Sequence, residues 1–309
     1  MGHTVTQKEL NEKLNWSLNQ KIDHSLYIID SFISQFPNCV VSFSGGIDSQ
    51  VLLHLTRVID KNRKGVFANT TNEHSEILKH VKTVENIETI LPEITFIQIV
   101  EKYGFPLISK QIARMLNDLK HPTEKNKISR NNWIQGLQKD GTKSKYILPK
   151  KYKHIINAPF DVTNKCCYYL KRKPLLKINK NGSLIGTKVL DSILRRFIYL
   201  QNGCIQVKRK QSTPLSIWTK EDIWKFIQQN KISYCDIYNQ GEDSTGCAYC
   251  GFGCQFDTSR FARLKEREPK RYNQMMNLKN NGVIYAEGIK TALNIPIENY
   301  QSKLFLNLH

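Results

Sequence analysis

No stretch of the 309-residue chain is apolar for long enough to cross a bilayer, which excludes a membrane-spanning helix and leaves no membrane partner to expect. Acidic residues are scarce: 27 Asp and Glu stand against 46 Lys and Arg, a formal charge of +19. That imbalance suits a polyanionic partner, either nucleic acid or a nucleotide with several phosphates. A solvated basic surface with no partner is the bland alternative. The N-terminus, MGHTVTQKEL, lacks the apolar core of a signal peptide, so the expected location is the cytoplasm. No internal repeat is found. Cysteine, in contrast, is plentiful, and eight of them in a cytoplasmic chain argue for metal or redox chemistry over a disulfide framework.

The length allows one large domain or two small ones. Leu10, Leu14, Leu18, Ile22, Leu26 and Ile33 recur at about helical spacing through a segment that ends at Pro37, which predicts one long amphipathic helix or two consecutive ones over 1–37. An apolar run then leads from Cys39 to Phe43 into Ser44, Gly45, Gly46, Ile47, Asp48 and Ser49, followed by helical spacing. This describes a buried strand that turns sharply into a helix. Residues 65–68 predict a second strand, with Asn69, Thr70 and Glu73 at its C-terminal end, where open parallel sheets bind ligands. Glu73 is expected to open a helix through Ile77, Val81 and Val84. The stretch 94–100, ITFIQIV, predicts a third strand, and 183–187, SLIGT, another strand and turn. Asp191, Ser192, Arg195 and Arg196 are placed on a helix. Thr219 is the expected N-cap of a helix with Asp222 at its third position. Alternating strands and helices give an α/β fold with a doubly wound, mostly parallel sheet.

The Ser44–Ser49 turn is a phosphate seat by its chemistry. Gly45 and Gly46 present no side chains to hold a ligand off the backbone, and the first helical N–H groups point at whatever anion sits there. Ser44 and Ser49 add hydroxyls. The lysine that ends a Walker A loop is missing, so this is a different device. From 118 to 154 the alternation breaks: ten Lys or Arg face three acids, with Trp133, Tyr146 and Tyr152 interleaved. Such a surface would neutralise phosphates and stack bases; a solvated mobile insertion is the alternative. A second basic segment, 165–188, has seven Lys or Arg and no acid.

Cys247 and Cys250 form a CxxC among Gly246, Gly251 and Gly253, and Cys166 and Cys167 are adjacent. Together they make four, the number that ligates a tetrahedral zinc or a cubane iron–sulfur cluster. Side chains of adjacent cysteines diverge, which suits a cluster better than one zinc ion. With Cys254, at the end of the same loop DSTGCAYCGFGC, five of the eight cysteines fall in these segments, more than buried structural thiols would explain.

SGGIDS resembles the SGGxDS pyrophosphate loop, or PP-loop, of the adenine nucleotide alpha-hydrolase-like superfamily. A CC pair followed about eighty residues later by CxxC is similar to the phosphoadenosine phosphosulfate and adenylylsulfate reductase family, and to the cluster protein of DNA phosphorothioation. CCYYLKRKPL follows the family's CCxxxKxxPL, with Lys171 and Pro174 at its offsets. PLSIWTKEDIW and ISYCDIYNQGEDSTGCAYC match its P-x-x-x-W-T-x-x-D-W and S-x-G-C-x-x-C regions. GTKVLDSILRR is like its GxRxxES segment, with Lys188 for arginine and Asp191 for glutamate. The likeness covers roughly 38–272 without the insertion.

The resemblance implies a PP-loop, Rossmann-like α/β domain at 38–243, carrying the insertion at 118–154, with a helical segment at 1–37 before it and a cysteine-bearing C-terminal subdomain at 244–309. It implies a 4Fe-4S cluster on Cys166, Cys167, Cys247 and Cys250. It also implies an adenine nucleotide, ATP with magnesium or a sulfonucleotide, held by Ser42, Ser44, Gly45, Gly46, Asp48, Ser49, Asn69, Thr70, Glu73, Gly186 and Lys188. Asp48, Lys171, Arg195 and Cys254 are the catalytic candidates. The leading expectation is ATP-dependent adenylylation, with pyrophosphate and AMP leaving, and sulfur transfer to DNA or tRNA bound by the basic segments. A sulfur-donor protein and a homo-oligomer fit that scheme. One alternative is a sulfonucleotide reductase that releases sulfite. The family's nucleophilic ECG[IL]H is absent after Cys254, so Cys254 is either its substitute, on a flexible loop where a lowered pKa would make it reactive, or a structural neighbour of the cluster. The other alternative is a regulatory nucleotide- and nucleic-acid-binding protein on a reused scaffold.

Overall fold

The computed structural model describes residues 4–138, 140–144 and 146–293. Two helices, α1 (Gln7–Leu14) and α2 (Leu18–Gln35), precede β1 (Val40–Phe43), α3 (Ile47–Ile59), β2 (Gly65–Ala68), α4 (Ser75–Thr83) and β3 (Ile87–Ile90). Then come α5 (Phe96–Tyr103), β4 (Leu107–Ile108), α6 (Lys110–Lys120), α7 (Lys127–Gln135) and α8 (Lys173–Ile178). β5 (Ser183–Ile185), α9 (Ile193–Asn202), β6 (Ile205–Gln206), β7 (Gln211–Ser212) and α10 (Lys220–Gln229) lead to β8 (Gly251–Phe252), and further short elements follow.

The chain forms two compact units. The first takes residues up to Asn69, Glu73–Pro92 and Arg172–Gly246; the second takes Thr70–Asn72, Glu93–Lys171 and the chain from Cys247. In the first, a six-stranded sheet runs β3-β2-β1-β5-β7-β6. Every pairing is parallel except β6 with β7. The chain winds outward from β1 through β2 and β3, then resumes on β1's other side with β5, so the strand order reverses at β1. In such a sheet the crevice at the carboxyl ends of the strands flanking the reversal receives ligands. Ser42 of β1 lies there, in register with Val66 of β2 and Ile185 of β5.

The N-terminal segment is two helices, each opened by a capping box, at Thr6 with Glu9 and at Ser17 with Gln20. α2 is held by polar side chains as much as by apolar ones. Trp218 Nε1 donates to Ser25 Oγ at 2.9 Å, and Ser25 Oγ donates to the Pro214 carbonyl at 2.9 Å. Lys21, 2% exposed, donates to Asp222 at 2.6 Å. The same carboxylate accepts from the Thr219 amide at 2.8 Å, closing the expected capping box of α10. Burial pushes the Asp222 carboxyl up, but Lys21 and Thr219 more than offset it, and its pKa is lowered. This contribution to stability is therefore complete above the ordinary carboxylate pKa near ~4 and lost as pH falls through the lower folded value. Asp222→Ala strands a buried ammonium and is expected to cost about 3–5 kcal/mol. Thermal melts at neutral pH check this, and the gap to the wild type should narrow below pH ~4.

The third strand is a correction. ITFIQIV is not extended: Phe96–Tyr103 is helix α5, capped by Thr95 and Gln98 in a reciprocal box. Phe96, Ile99 and Val100 fall on one buried face at helical spacing, which outweighs the β preference of isoleucine and valine. The strand beside β2 is instead Ile87–Ile90, whose side chains are half-buried or exposed. α4 starts at Ser75, after His74 as N-cap, rather than at Glu73. Asp191 closes a 3-10 turn, and Ser192 caps α9.

The second unit has its own core. Phe96, Phe105, Phe160, Tyr249 and Phe261 are among its buried members, and Trp133 and Tyr152 join them. Two of the three aromatic residues assigned to base stacking are thus core residues. Tyr146, 61% exposed, is the one left at the surface. The basic segment folds through α7 and the 3-10 stretch Lys150–Asn157 into that core, so it is no solvated appendage. Lys139 and Lys145 lie outside the described residues, as does the C-terminal stretch 294–309.

Candidate functional site

The turn expected to seat a phosphate is built by β1, the first turn of α3 and the end of β5, all in the first unit. Gly45 has φ +75°, and a Cβ there would come within 2.9 Å of Ile77 Cγ2. Any other residue would be strained in both respects. Gly46 is the N-cap of α3 and provides no side-chain cap. Ser49 Oγ accepts from the Ser44 amide at 3.1 Å and donates to the Gly46 carbonyl at 2.8 Å. Ser44 Oγ accepts from the Gly46 amide at 3.3 Å. The two serines thus fold the turn onto itself and keep the helix N-terminus free of a conventional cap.

Gly186 closes the seat from β5. A Cβ on it would lie 2.9 Å from the Asp48 carbonyl oxygen and 3.2 Å from the Ser49 nitrogen. Lys188, its side chain only 8% exposed, forms an ion pair with Asp48 and lies 3.5 Å from Asp191. The Asp48 carboxylate therefore does not stand as an uncompensated charge where an anion would dock. Asp191 also pairs with Arg195, whose side chain is 45% exposed. Arg196 reaches Gln7 at 3.3 Å.

Two groups at the seat escape sequence reasoning. Tyr238 OH accepts from the Ile47 amide at 3.1 Å. Thr245 Oγ1 and Tyr238 OH would lie 2.6 and 3.1 Å from a Cβ placed on Gly46. Burial pushes the Tyr238 phenol up, so it stays protonated. Both lie in the ISYCDIYNQGEDSTGCAYC stretch, but no spacing signal links either residue to a loop nearly two hundred positions earlier.

The four paired cysteines, Cys166, Cys167, Cys247 and Cys250, lie in the second unit. Among the described residues, no group of three or more His, Cys, Asp or Glu side chains is arranged to hold a single metal ion. The four thiols nevertheless act on one another. Cys166 is pushed far up by its hydrogen bond with Cys167, by burial, and by Cys250 and Cys247. Cys167 is lowered to about 6 by its hydrogen bond with Cys166 against the pull of burial, aided by Lys110 and Lys171. Cys250 is pushed up to about 12 by burial and by Cys247. Thr70 Oγ1 lies 3.8 Å from Cys247 Sγ. Asn72 accepts from the amides of Ala248 at 2.7 Å and Tyr249 at 3.1 Å, fixing the CxxC turn.

This donor set fits a polynuclear iron–sulfur group: four soft sulfurs that shift one another's titration, with Lys110 and Lys171 acting on Cys167 and Arg260 on Cys250. Lys171 acts on Cys167 beside Lys110. Lys110, at the start of α6, is the residue that reasoning missed, because nothing in its neighbourhood resembles a motif. Thr70 turns to the cysteine turn.

Cys254 belongs to the core of the second unit. It is fully buried, and burial pushes its thiol up, the reverse of the lowered pKa expected of a reactive loop cysteine. Cys39, Cys204 and Cys235 are likewise buried and raised by burial.

A sequence profile described as the phosphoadenosine phosphosulfate reductase domain matches residues 38–252. The chain is similar to the adenosine 5'-phosphosulfate reductase of Lysinibacillus sphaericus (strain C3-41), at 33% identity over 94 residues; the match spans 28% of this chain and 38% of that protein. It is also similar to adenosine 5'-phosphosulfate reductase 2 of Bacillus subtilis (strain 168), at 22% identity over 259 residues, or 81% of this chain and 88% of that one. Among solved structures, a phosphoadenylyl-sulfate reductase from Candida auris in a phosphate complex aligns with a TM-score of 0.42 at 12% identity, over 80% of this chain and 98% of that chain.

Proposed function

Because this chain belongs to the phosphoadenosine phosphosulfate reductase domain family, we propose that it is a sulfonucleotide reductase, converting adenylylsulfate or its 3′-phosphorylated form to sulfite and the corresponding adenosine phosphate. The observation that carries this reading is the seat at the sheet's reversal point, where Gly186 brings β5 against the first turn of α3. Amides of that turn, with the Ser44 and Ser49 hydroxyls, would hold the nucleotide's phosphate. Ser42, Asn69 and Glu73 would line the strand ends beside it, and Arg195 is the candidate contact for the sulfonyl group.

In the reaction a thiolate attacks the sulfonyl sulfur, and the bond from sulfur to the bridging oxygen breaks. The adenosine phosphate leaves with the electron pair. A second thiol attacks the sulfur of the first, forming a disulfide and releasing sulfite, so two thiols supply the two electrons. Negative charge grows on the departing phosphate, where donors already in place stabilise it most. Every described thiol outside the paired cysteines is buried and raised, so both attacking thiols are assigned to a dithiol reductant.

Cys166, Cys167, Cys247 and Cys250 would hold a 4Fe-4S cluster, which when bound supplies a compact negative charge and a metal centre capable of redox change. Lys110 and Lys171 would balance that charge.

The buried thiols also favour a second reading, ATP-dependent adenylylation of a nucleic-acid oxygen with sulfur from a donor protein, which needs no nucleophilic cysteine. One pair of assays separates the two: dithiol-dependent sulfite release from either sulfonucleotide, against AMP and pyrophosphate release from ATP with magnesium. Sulfite is expected. Cys254→Ser should keep sulfite release within about twofold, since a core hydroxyl costs mainly stability. Loss of all sulfite in that variant would return the attack to Cys254.

A further inference from the structure

The amide of Ile47 is one of the first-turn donors on which anion binding at α3 depends. That amide is already taken in this structure: it donates to the Tyr238 hydroxyl at 3.1 Å. Tyr238 ends the 3-10 turn Asp236–Tyr238, and its ring packs edge-on against Trp224 and Tyr234, with centroids 5.7 and 6.4 Å away. Its hydroxyl also shares a hydrogen bond with the Thr245 side chain. Gly241, at φ +83°, lies between these two residues and Gly246 follows the second, and a Cβ on either would meet nothing within 4 Å. Both hydroxyls sit over the Gly46 end of the seat.

We infer that Tyr238 is a specificity-determining residue of the phosphate seat: its hydroxyl stands where a ligand oxygen would take the Ile47 amide, and the ligand must displace it. The inference rests on the reading of Ser44–Ser49 as a phosphate site and says how that site is set. An anion entering the seat exchanges one neutral hydrogen bond for a charge-assisted one, and the difference pays part of its affinity. Thr245 acts through Tyr238 and is a positioning residue.

The test is calorimetric titration of inorganic pyrophosphate into the full chain and into Tyr238→Phe, which keeps the aromatic packing but frees the amide. The variant is expected to bind pyrophosphate roughly five- to tenfold more tightly, the scale of one neutral hydrogen bond. Thr245→Val should move affinity the same way by a smaller factor. Hydrogen exchange gives a readout that ring packing alone would not move: without ligand, the Ile47 amide should exchange faster in Tyr238→Phe, and pyrophosphate should restore its protection. Unchanged or weaker binding by Tyr238→Phe overturns the inference and leaves the phosphate site standing. If neither protein binds pyrophosphate or adenylylsulfate, the phosphate site itself falls and the inference with it.

Discussion

Gly186→Val is expected to weaken adenylylsulfate and pyrophosphate binding at least tenfold and to lower the melting temperature by several degrees. The reason is what the new side chain would meet. A Cβ at this position lies 2.9 Å from the Asp48 carbonyl oxygen, 3.0 Å from its carbon and 3.2 Å from the Ser49 nitrogen. These are backbone atoms of the first turn of a helix and cannot swing aside as a side-chain tip does. Relief requires β5 and α3 to part, which moves the donors that face the ligand. Overpacking of this kind costs typically about 1–3 kcal/mol, and a donor array moved by even a fraction of an ångström loses more in binding than in folding. Gly186→Ala should show the same effect at reduced size. Affinity within twofold of the wild type for Gly186→Val would mean that the seat is not where the phosphate docks.

Protein prepared without oxygen is expected to be brown and to hold about four irons and four acid-labile sulfides per chain, as a 4Fe-4S cluster requires. Cys166→Ser and Cys247→Ser, one from each pair, should each bring iron below about one per chain, because a serine alkoxide is a poor replacement for a thiolate on iron. The pairing of effects matters. The two residues are far apart in sequence, yet Cys166 is shifted by both Cys247 and Cys250. A common fate for variants at the two ends is what one shared group would give. Colourless protein carrying one zinc would reject the cluster and leave four thiols with a structural task.

Much of the first unit is legible in the sequence because local rules and the fold agree there. The apolar run into SGGIDS, the glycine pair and the helical spacing after it describe β1, the seat and α3 without reference to anything distant. Thr219 and Asp222 likewise announce the start of α10 three residues apart. The misreadings fall where a local rule competes with packing. In 94–100 the β-formers isoleucine and valine suggest a strand, while Thr95, Gln98 and one buried face make it helix α5. Glu88 and Thr89 hide β3, because an exposed strand shows no apolar alternation. Trp133 and Tyr152 stand among lysines in the chain but inside the core in space, and composition does not record which way a ring turns. Lys110 and Tyr238 were out of reach for a simpler reason: each acts on a partner far along the chain, through a contact that leaves no spacing to read.

The sheet order carries a consequence for how the molecule is made. β5 lies directly against β1, yet the ribosome delivers it only after nearly all of the second unit's long central segment, and β7 comes later still. A nascent chain that has just released SGGIDS has one wall of its ligand crevice and must wait for the other. Until Gly186 emerges, β1 presents an open hydrogen-bonding edge of the sort that pairs with strangers. Slow elongation or early termination within that interval should therefore produce aggregation before it produces a partly working protein.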